Sequence, residues 1–341
     1  MTGESVVALQ NTVCPEAGRL CLARFDLLRA VHLSQPIGRR VLADRLNLQE
    51  RRIRRELTFL CQRELLHVGN LGVELTGKGE SVLRDLEAYI RLSQGLSHWE
   101  IDLRRKFKLR EAIVVPGDCD HDETVKKELA RVTADYLRTH LVDGSILAVT
   151  GGTTLSEVAT FLRPAAAQRD LLVVPARGGL GEEVELQANA VAAAFAKGLG
   201  GAYRLLHVPD DLGEETLQTI ANEPKVKELV DQIRRCNLLL HGIGVAEEMA
   251  RRRGLSAEET ADLLAKGAVG EAMGYYFSED GRLAHTTTSV GLQDKDLALV
   301  GLVVMVGGGR GKARAAKAIL LHGGRDVFIT DEAVAKELLK D

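Results

Sequence analysis

Residues 39 to 60 read RRVLADRLNLQERRIRRELTFL, and this stretch decides how the N-terminal part of the chain folds. From Arg39 to Arg63 there are 8 Arg against 3 acids (Asp44, Glu50, Glu56), in a 341-residue chain whose formal net charge is -3. A local cationic patch on an acidic chain suits a polyanion, although arginines also keep ordinary helices soluble. The periodicity decides between the two. On a 3.6-residue wheel Ile53, Leu57 and Leu60 stack on one face, the spacing of a core-facing stripe. Arg51, Arg55, Thr58 and Gln62 fall on the opposite face, flanked by Arg52 and Arg54. In the preceding segment Val41, Leu42 and Leu46 are expected to pack inward while Arg39, Arg40 and Arg45 stay in water. Two helices joined by a tight turn, the second offering Arg and Thr outward, form a helix-turn-helix. Gln49 stands where an N-capping Ser, Thr or Asp is usual.

Outward from this motif, LLHVGNLGVELTGKG (65–79) reads as two strands around a glycine turn, the wing of a winged helix. Residues 15–34 read as an amphipathic helix before it, and another helix follows Gly79. Ser97 and Glu100 give an S-x-x-E pattern, which predicts a capping box opening a helix over 98–108. The expected domains are therefore 1–97, a winged helix-turn-helix that binds DNA, and 98–341.

In the second part the pattern becomes α/β. Apolar runs at 112–115, 146–150, 171–174, 204–208, 238–241, 302–306 and 327–330 read as strands, with helices expected over 123–141, 154–162, 182–198 and 224–236. Near-continuous apolar strands imply a doubly wound, Rossmann-like parallel sheet covered on both faces. Residues 275–292 read instead as an antiparallel hairpin turning at Asp280-Gly281 on the sheet edge. Length favours two domains. Five cysteines without a CxxC fit no disulfide framework and read as buried thiols of a reducing cytoplasm. The longest apolar-plus-glycine run, LALVGLVVMV (297–306), is too short for a bilayer, and no signal peptide is evident, so no membrane partner is expected.

Ligands of open α/β sheets bind at the carboxyl ends of the strands. Four segments leave a strand there with glycine, threonine or a basic residue: Gly151-Gly152-Thr153-Thr154, Arg177-Gly178-Gly179, Gly242-Ile243-Gly244 and Gly307 to Lys312. Glycines let a ligand approach the backbone, and a following helix aims unpaired N–H groups at an anion. Thr153 also reads as an ordinary N-cap. Arg177, Lys312 and the run Arg251-Arg252-Arg253 supply cations, and Arg suits bidentate phosphate recognition. Four cations match two phosphomonoesters better than one. Glu271 suits sugar hydroxyls or a structural ion pair. A P-loop fails because Val306 and Ala313 stand where Gly and Ser or Thr are needed. A dinucleotide fingerprint fails at Glu247. No cofactor, no metal and no catalytic residue are expected.

The winged helix, the GGTT loop, VPARGGLGE (174–182), ANAVAAAFA (188–196), HGIG (241–244) and EAMGYYF (271–277) together resemble the SorC-type transcription regulators that govern glycolysis in Gram-positive bacteria. The likeness runs from about Pro15 to Asp341. It implies a repressor of glycolytic genes, such as the glyceraldehyde-phosphate dehydrogenase operon, relieved by fructose 1,6-bisphosphate. It also implies an effector domain similar to sugar-phosphate isomerases and deaminases but without their activity. By that resemblance Gly151, Gly152, Thr153, Thr154, Arg177, Gln187, Arg252, Arg253, Glu271 and Lys312 contact the effector, Gln187 on that ground alone. Departures from the pattern lie at Gln49, Gly270 and the glycines with Arg310 beside Lys312.

The expected partners are operator DNA, a phosphorylated sugar and further copies of the chain, as dimer or tetramer, because two-fold proteins match two-fold operators. Arg51, Arg52, Arg55 and Thr58 would enter the major groove, next to Gln49. Arg39, Arg40 and Arg45 would hold phosphates, with the wing around Asn70 bracing the backbone. The rival reading is a sugar-phosphate isomerase or deaminase carrying a regulatory winged helix. Its acid–base candidates would be Asp118, Asp120, His121, His241 and His285, whose spacing forms no recognisable constellation.

Overall fold

The computed structural model describes residues 9–10, 12–162, 170–179, 183–210 and 213–340. Residues 1–8 and 341 of the expected domains, 180–182 of the VPARGGLGE motif and the first residue of the helix expected over 182–198 lie outside the described residues. Packing separates two compact units, Met1–Trp99 with His121–Glu128, and Glu100–Asp120 with Leu129–Asp341.

In the first unit, helices α1 (Pro15–His32), α2 (Arg39–Arg45) and α3 (Glu50–Gln62) precede strands β1 (Leu66–Val68) and β2 (Val73–Leu75) and helix α4 (Gly77–Ser93). The stripe Ile53, Leu57 and Leu60 is buried, against Phe25, Leu28, Val31, Leu42, Leu83 and Ile90. The turn between α2 and α3 is tight because Asn47 adopts a left-handed φ of 47°, which an asparagine tolerates better than most side chains. The Leu48 N–H then reaches back to the Ala43 carbonyl at 2.9 Å. Strands β1 and β2 pair antiparallel with Leu66 opposite Leu75, and Ile37 bridges to Val73 to hold the hairpin on the core. Two expectations for α2 change. Val41 is exposed, and Arg45 is half-buried, its guanidinium donating to the Ser34 hydroxyl. Leu42 and Ala43 fill the inward face instead.

Helix α5 spans Leu96–Phe107, so Ser97 lies inside the helix and no capping box forms there. The Glu100 carboxylate instead accepts the N–H of Val114 at 2.8 Å. In the second unit a seven-stranded, wholly parallel sheet is built from β3 (Glu111–Val115), β4 (Ile146–Val149), β5 (Leu172–Pro175), β6 (Ala202–Tyr203), β7 (Leu238–His241), β12 (Leu302–Val306) and β13 (Val327–Asp331). Its order is β3-β13-β12-β7-β4-β5-β6. Strand β7 is buried along its whole length, as a strand covered on both faces must be. After β4 the chain builds outward through β5 and β6, then returns to the other side of β4 with β7. The crevice beyond the carboxyl ends of β4 and β7 is therefore the topological switch point.

Residues 204–208 do not form the expected strand. Leu206 and Val208 are apolar because they pack in the core. The backbone of Leu206 is satisfied by the Asn189 side-chain amide, which accepts at 2.9 Å and donates at 3.0 Å. The hairpin at 275–292 does not sit on the edge of the main sheet. Strands β10 (Tyr275–Ser278) and β11 (Leu283–Thr286) join β8 (Gly244–Val245) and β9 (Ala268–Ala272) in a separate antiparallel sheet. The helices that place side chains near the switch point are α7 (Thr153–Phe161), α8 (Ala188–Leu199), α11 (Ala246–Arg252) and α13 (Ala313–His322), in a numbering where α6 is Glu123–His140, α9 Glu214–Ala221, α10 Pro224–Arg234, α12 Ala257–Ala265 and α14 Glu332–Leu339. Of the five cysteines only Cys236 is buried, contrary to the reading of all as buried thiols, and none is in a disulfide. Among the described residues no helix is long and apolar enough to cross a membrane.

The opposite faces of α3 predict opposite outcomes on truncation. Ile53→Ala should cost roughly 2–5 kcal/mol, as for other buried aliphatic truncations, while Arg51→Ala should stay within about 0.5 kcal/mol. Urea unfolding of the two variants measures both, and equal midpoints would contradict the assignment of the core face.

Candidate functional site

A cavity opens at the switch point, and all ten residues expected to meet an effector line it: Gly151, Gly152, Thr153, Thr154, Arg177, Gln187, Arg252, Arg253, Glu271 and Lys312. Three of the four glycine-bearing strand exits contribute backbone to it, after β4, β5 and β7, and the fourth contributes Lys312. The β4 exit is shaped by two glycines for different reasons. A Cβ on Gly151 would lie 2.3 Å from the Leu186 carbonyl oxygen, so only glycine lets this loop pass the segment before α8. Gly152 has φ 111° and is itself the N-cap of α7. Thr153 is thus the first residue of the helix rather than its cap. No side chain caps α7, and the unpaired N–H groups of its first turn carry the positive end of the helix dipole.

The cations arrive by three routes. Arg177 follows β5, Arg252 and Arg253 end α11, and Lys312 closes the glycine turn after β12. That turn is fixed by the buried Asp331 carboxylate, which accepts N–H groups of Cys119 at 2.8 Å, Gly309 at 2.6 Å and Val334 at 2.9 Å. Burial raises the pKa of Asp331, while these donors oppose the rise. Gly309 has φ 99°, a conformation open to glycine. Arg251 and Arg310, by contrast, are exposed and pair with Glu247 and Glu337.

Beside the expected Glu271, the cavity holds Asp210 and Glu248, two acids that the sequence did not place there. Asp210 Oδ2 lies 3.1 Å from Arg177 Nη2 and 3.2 Å from Arg253 Nη1, and Glu271 Oε1 lies 3.1 Å from Arg253 Nη2. All four side chains are at most 8% exposed. A second set joins Glu248 to Arg252 Nη2 at 2.5 Å. Lys312 has its amine pulled down by burial, opposed mainly by the charge of Glu248. Burial likewise lowers the pKa of Arg177, with Asp210 opposing. For Arg253 burial is outweighed by Glu271, Tyr276 and Asp210, which together hold it above its ordinary value. Four cations against three carboxylates leave a formal net of +1, less than the +3 that the four expected cations with Glu271 would give. The pairs nevertheless leave donors over. Arg177 Nε and Nη2 and Arg253 Nε are buried without a hydrogen-bond acceptor among the described residues, Nη2 because its approach to Asp210 is off the hydrogen-bond line. The i,i+4 spacing of Glu248 and Arg252 could have revealed one missed acid. Asp210 carries no such signal.

None of the acid–base candidates read from sequence lines the cavity. Asp118 and Asp120 accept backbone N–H groups of Asp120 and Gly311 at 3.0 and 2.8 Å. His241 is fully buried, and burial and Arg325 push its pKa down to about 3. Among the described residues no cluster of metal ligands is present.

On the first unit, Arg39, Arg40, Gln49, Arg51, Arg52, Arg54, Arg55, Thr58 and Gln62 are exposed, whereas Arg45 is not fully so. Gln49 is the N-cap of α3 but makes no side-chain cap bond. The Thr58 hydroxyl donates to the Arg54 carbonyl at 2.9 Å, and Arg39 and Arg54 each lie 3.9 Å from Glu50. These are long, exposed pairs of little energy, readily exchanged for phosphates. The hairpin from Leu66 to Leu75 contains no Lys or Arg, so it can meet a DNA backbone only through Asn70, His67 and its own N–H groups.

Two family models match the chain: the CggR N-terminal DNA-binding domain over residues 21–90 and a sugar-binding domain over residues 93–340. The central glycolytic genes regulator of Priestia megaterium is 40% identical over 338 residues, covering 99% of each chain. That of Bacillus subtilis is 39% identical over 336 residues, covering 98% of this chain and 99% of its own. The crystal structure of a SorC family transcriptional regulator from Enterococcus faecalis aligns with a TM-score of 0.66 at 38% identity, over 71% of this chain and 100% of that one.

The glycine loops make a test of the cavity wall. Gly151→Ala should cost roughly 1–3 kcal/mol, the scale of overpacking, because its Cβ meets backbone. Gly179→Ala, with nothing within 4 Å of its Cβ, should be neutral within about 0.5 kcal/mol. Thermal melts compare them, and a neutral Gly151→Ala would mean that the loop is not held against Leu186.

Proposed function

The chain belongs to the family of central glycolytic genes regulators, and from that premise we propose that it represses glycolytic genes, the glyceraldehyde-phosphate dehydrogenase operon among them, until fructose 1,6-bisphosphate fills the cavity. The observation that carries this reading is the convergence of an uncapped helix N-terminus, two threonines, Lys312 and three arginines, with buried N–H donors to spare, at one switch point. Phosphomonoesters carry about −1.5 to −2 charges each near neutral pH. One is matched by Arg252, Lys312 and the α7 N–H groups. The other is matched by the spare N–H donors of Arg177 and Arg253. Isomerisation or deamination of a sugar phosphate would need a free base at the sugar carbons. Asp210, Glu248 and Glu271 are each engaged with an arginine, which favours holding the sugar over turning it over.

In this reading the protein works in the cytoplasm as a homo-oligomer, dimer or tetramer, with α3 in the major groove of each half-site. The exposed Arg51, Arg52, Arg55 and Thr58 read base edges or flanking phosphates, and Arg39 and Arg40 clamp the backbone. Arg45, tied to Ser34, positions α2 rather than the DNA. The effector loosens DNA because it binds the low-affinity arrangement better.

The direct test is a gel shift with a duplex selected from a random pool by the full-length protein. Fructose 1,6-bisphosphate should weaken binding about 5–150-fold, the range of a coupling of ~1–3 kcal/mol. Unchanged binding at saturating sugar would sink the proposal. Lys312→Ala should still bind the duplex yet no longer respond to the sugar. Arg51→Ala with Arg55→Ala should lose the duplex at least tenfold while sugar affinity, by calorimetry, stays within about twofold of wild type.

A further inference from the structure

Asp210 has no role in the function so far beyond neutralising arginines. Its two carboxylate oxygens are used very differently. Oδ2 is shared between Arg177 and Arg253, at 3.1 and 3.2 Å. Oδ1 has no hydrogen-bond partner among the described residues, although the side chain is only 2% exposed. A buried carboxylate oxygen without a donor costs free energy in the empty protein. Space beside it is kept clear on one side, because a Cβ on the cavity-lining Gly178 would come within 2.8 Å of Oδ1. Asp210 itself lines the cavity.

An anionic oxygen cannot receive a phosphate oxygen. It can accept only from a donor, and the donors of a phosphorylated sugar are its hydroxyl groups. The charge distribution agrees. Arg177 and Arg253 are balanced by Asp210 and Glu271, whereas the cavity-lining acid beside Arg252 and Lys312 is Glu248, with Asp120 acting on Lys312 from outside the lining. The balanced set suits the end of a ligand where a phosphate takes the spare arginine N–H groups and a neighbouring hydroxyl faces the spare carboxylate oxygen. We infer that Asp210 is a specificity-determining residue whose Oδ1 accepts a hydrogen bond from a ring hydroxyl of the bound phosphorylated polyol. It makes the protein a reader of the sugar as well as of its phosphates. This rests on the reading of the cavity as a sugar-phosphate site.

A site built to bind a hydroxyl rejects the analogue that lacks it, since its own polar group is then buried unpaired. Calorimetry on the full-length protein should compare fructose 1,6-bisphosphate with hexane-1,6-diol bisphosphate, which carries two phosphates and no other hydroxyl. The quantity read is the ratio of the two affinities, and the expected result is that Asp210→Asn lowers this ratio tenfold or more. Asp210→Glu keeps the charge between the arginines but displaces the acceptor, so it should fold like wild type and also lose tenfold in the ratio. It decides the matter where the asparagine variant does not fold. An unchanged ratio in Asp210→Glu, or equal losses for both ligands, would overturn the inference and leave Asp210 a structural counter-ion. Failure of wild type to bind either ligand would instead remove the sugar-phosphate reading itself.

Discussion

Burying guanidinium groups at the carboxyl rim of a parallel sheet is the constraint around which the second unit is organised. An unpaired buried charge is costly, and breaking a buried pair typically loses about 3–5 kcal/mol. Arg177 and Arg253 are therefore tied to Asp210 and Glu271, which come from a loop and from the small antiparallel sheet. Close approach of that sheet needs glycine. A Cβ on Gly274 would overlap the Arg177 guanidinium, and one on Gly244 would lie 2.9 Å from Glu271 Oε2. The result is a cavity whose cations are held in place before any ligand arrives, with N–H groups left over to receive one. Preorganised donors of this kind give affinity because little ordering remains to be done on binding.

Much of this was legible in the sequence because it follows from short-range rules. The 3.6-residue period of Ile53, Leu57 and Leu60 placed them in the core. Six of the seven strands of the large sheet lie where apolar runs predicted them. Six of the ten candidate residues, Gly151 to Thr154, Arg177 and Lys312, reach the cavity because strand exits in a doubly wound sheet converge on one rim. Arg252 and Arg253 arrive from the end of α11, Glu271 from the small sheet, and Gln187 was expected from the resemblance alone. The failures are long-range. Leu206 and Val208 look like strand residues, but a side-chain amide 17 positions away in the chain satisfies the backbone of Leu206. Val41 is exposed although apolar, and no local pattern distinguishes it from Leu42. Ser97 and Glu100 match a capping box, yet the helix starts at Leu96, two residues too early for it to form. Asp210 became visible only when the fold brought it between two arginines from distant segments.

The acids in the cavity alter what selectivity requires. A purely cationic pocket would welcome any polyanion, whereas one with three carboxylates among four cations sets donors and acceptors in alternation. Such a site discriminates through the groups it would leave unpaired as much as through those it satisfies. Control of DNA binding needs one thing more: the sugar must bind one arrangement of the protein better than the other, because equal affinity shifts nothing.

Linkage supplies the most direct measurement of that condition. Titration of fructose 1,6-bisphosphate into the full-length protein by calorimetry, once free and once saturated with its selected duplex, compares sugar affinity in the two states. If the cavity governs the grip of the arginine-bearing helix, the sugar binds the DNA-loaded protein more weakly by the same factor by which it weakens DNA binding. Identical affinities in the two titrations would contradict the account, because a ligand indifferent to DNA cannot release it.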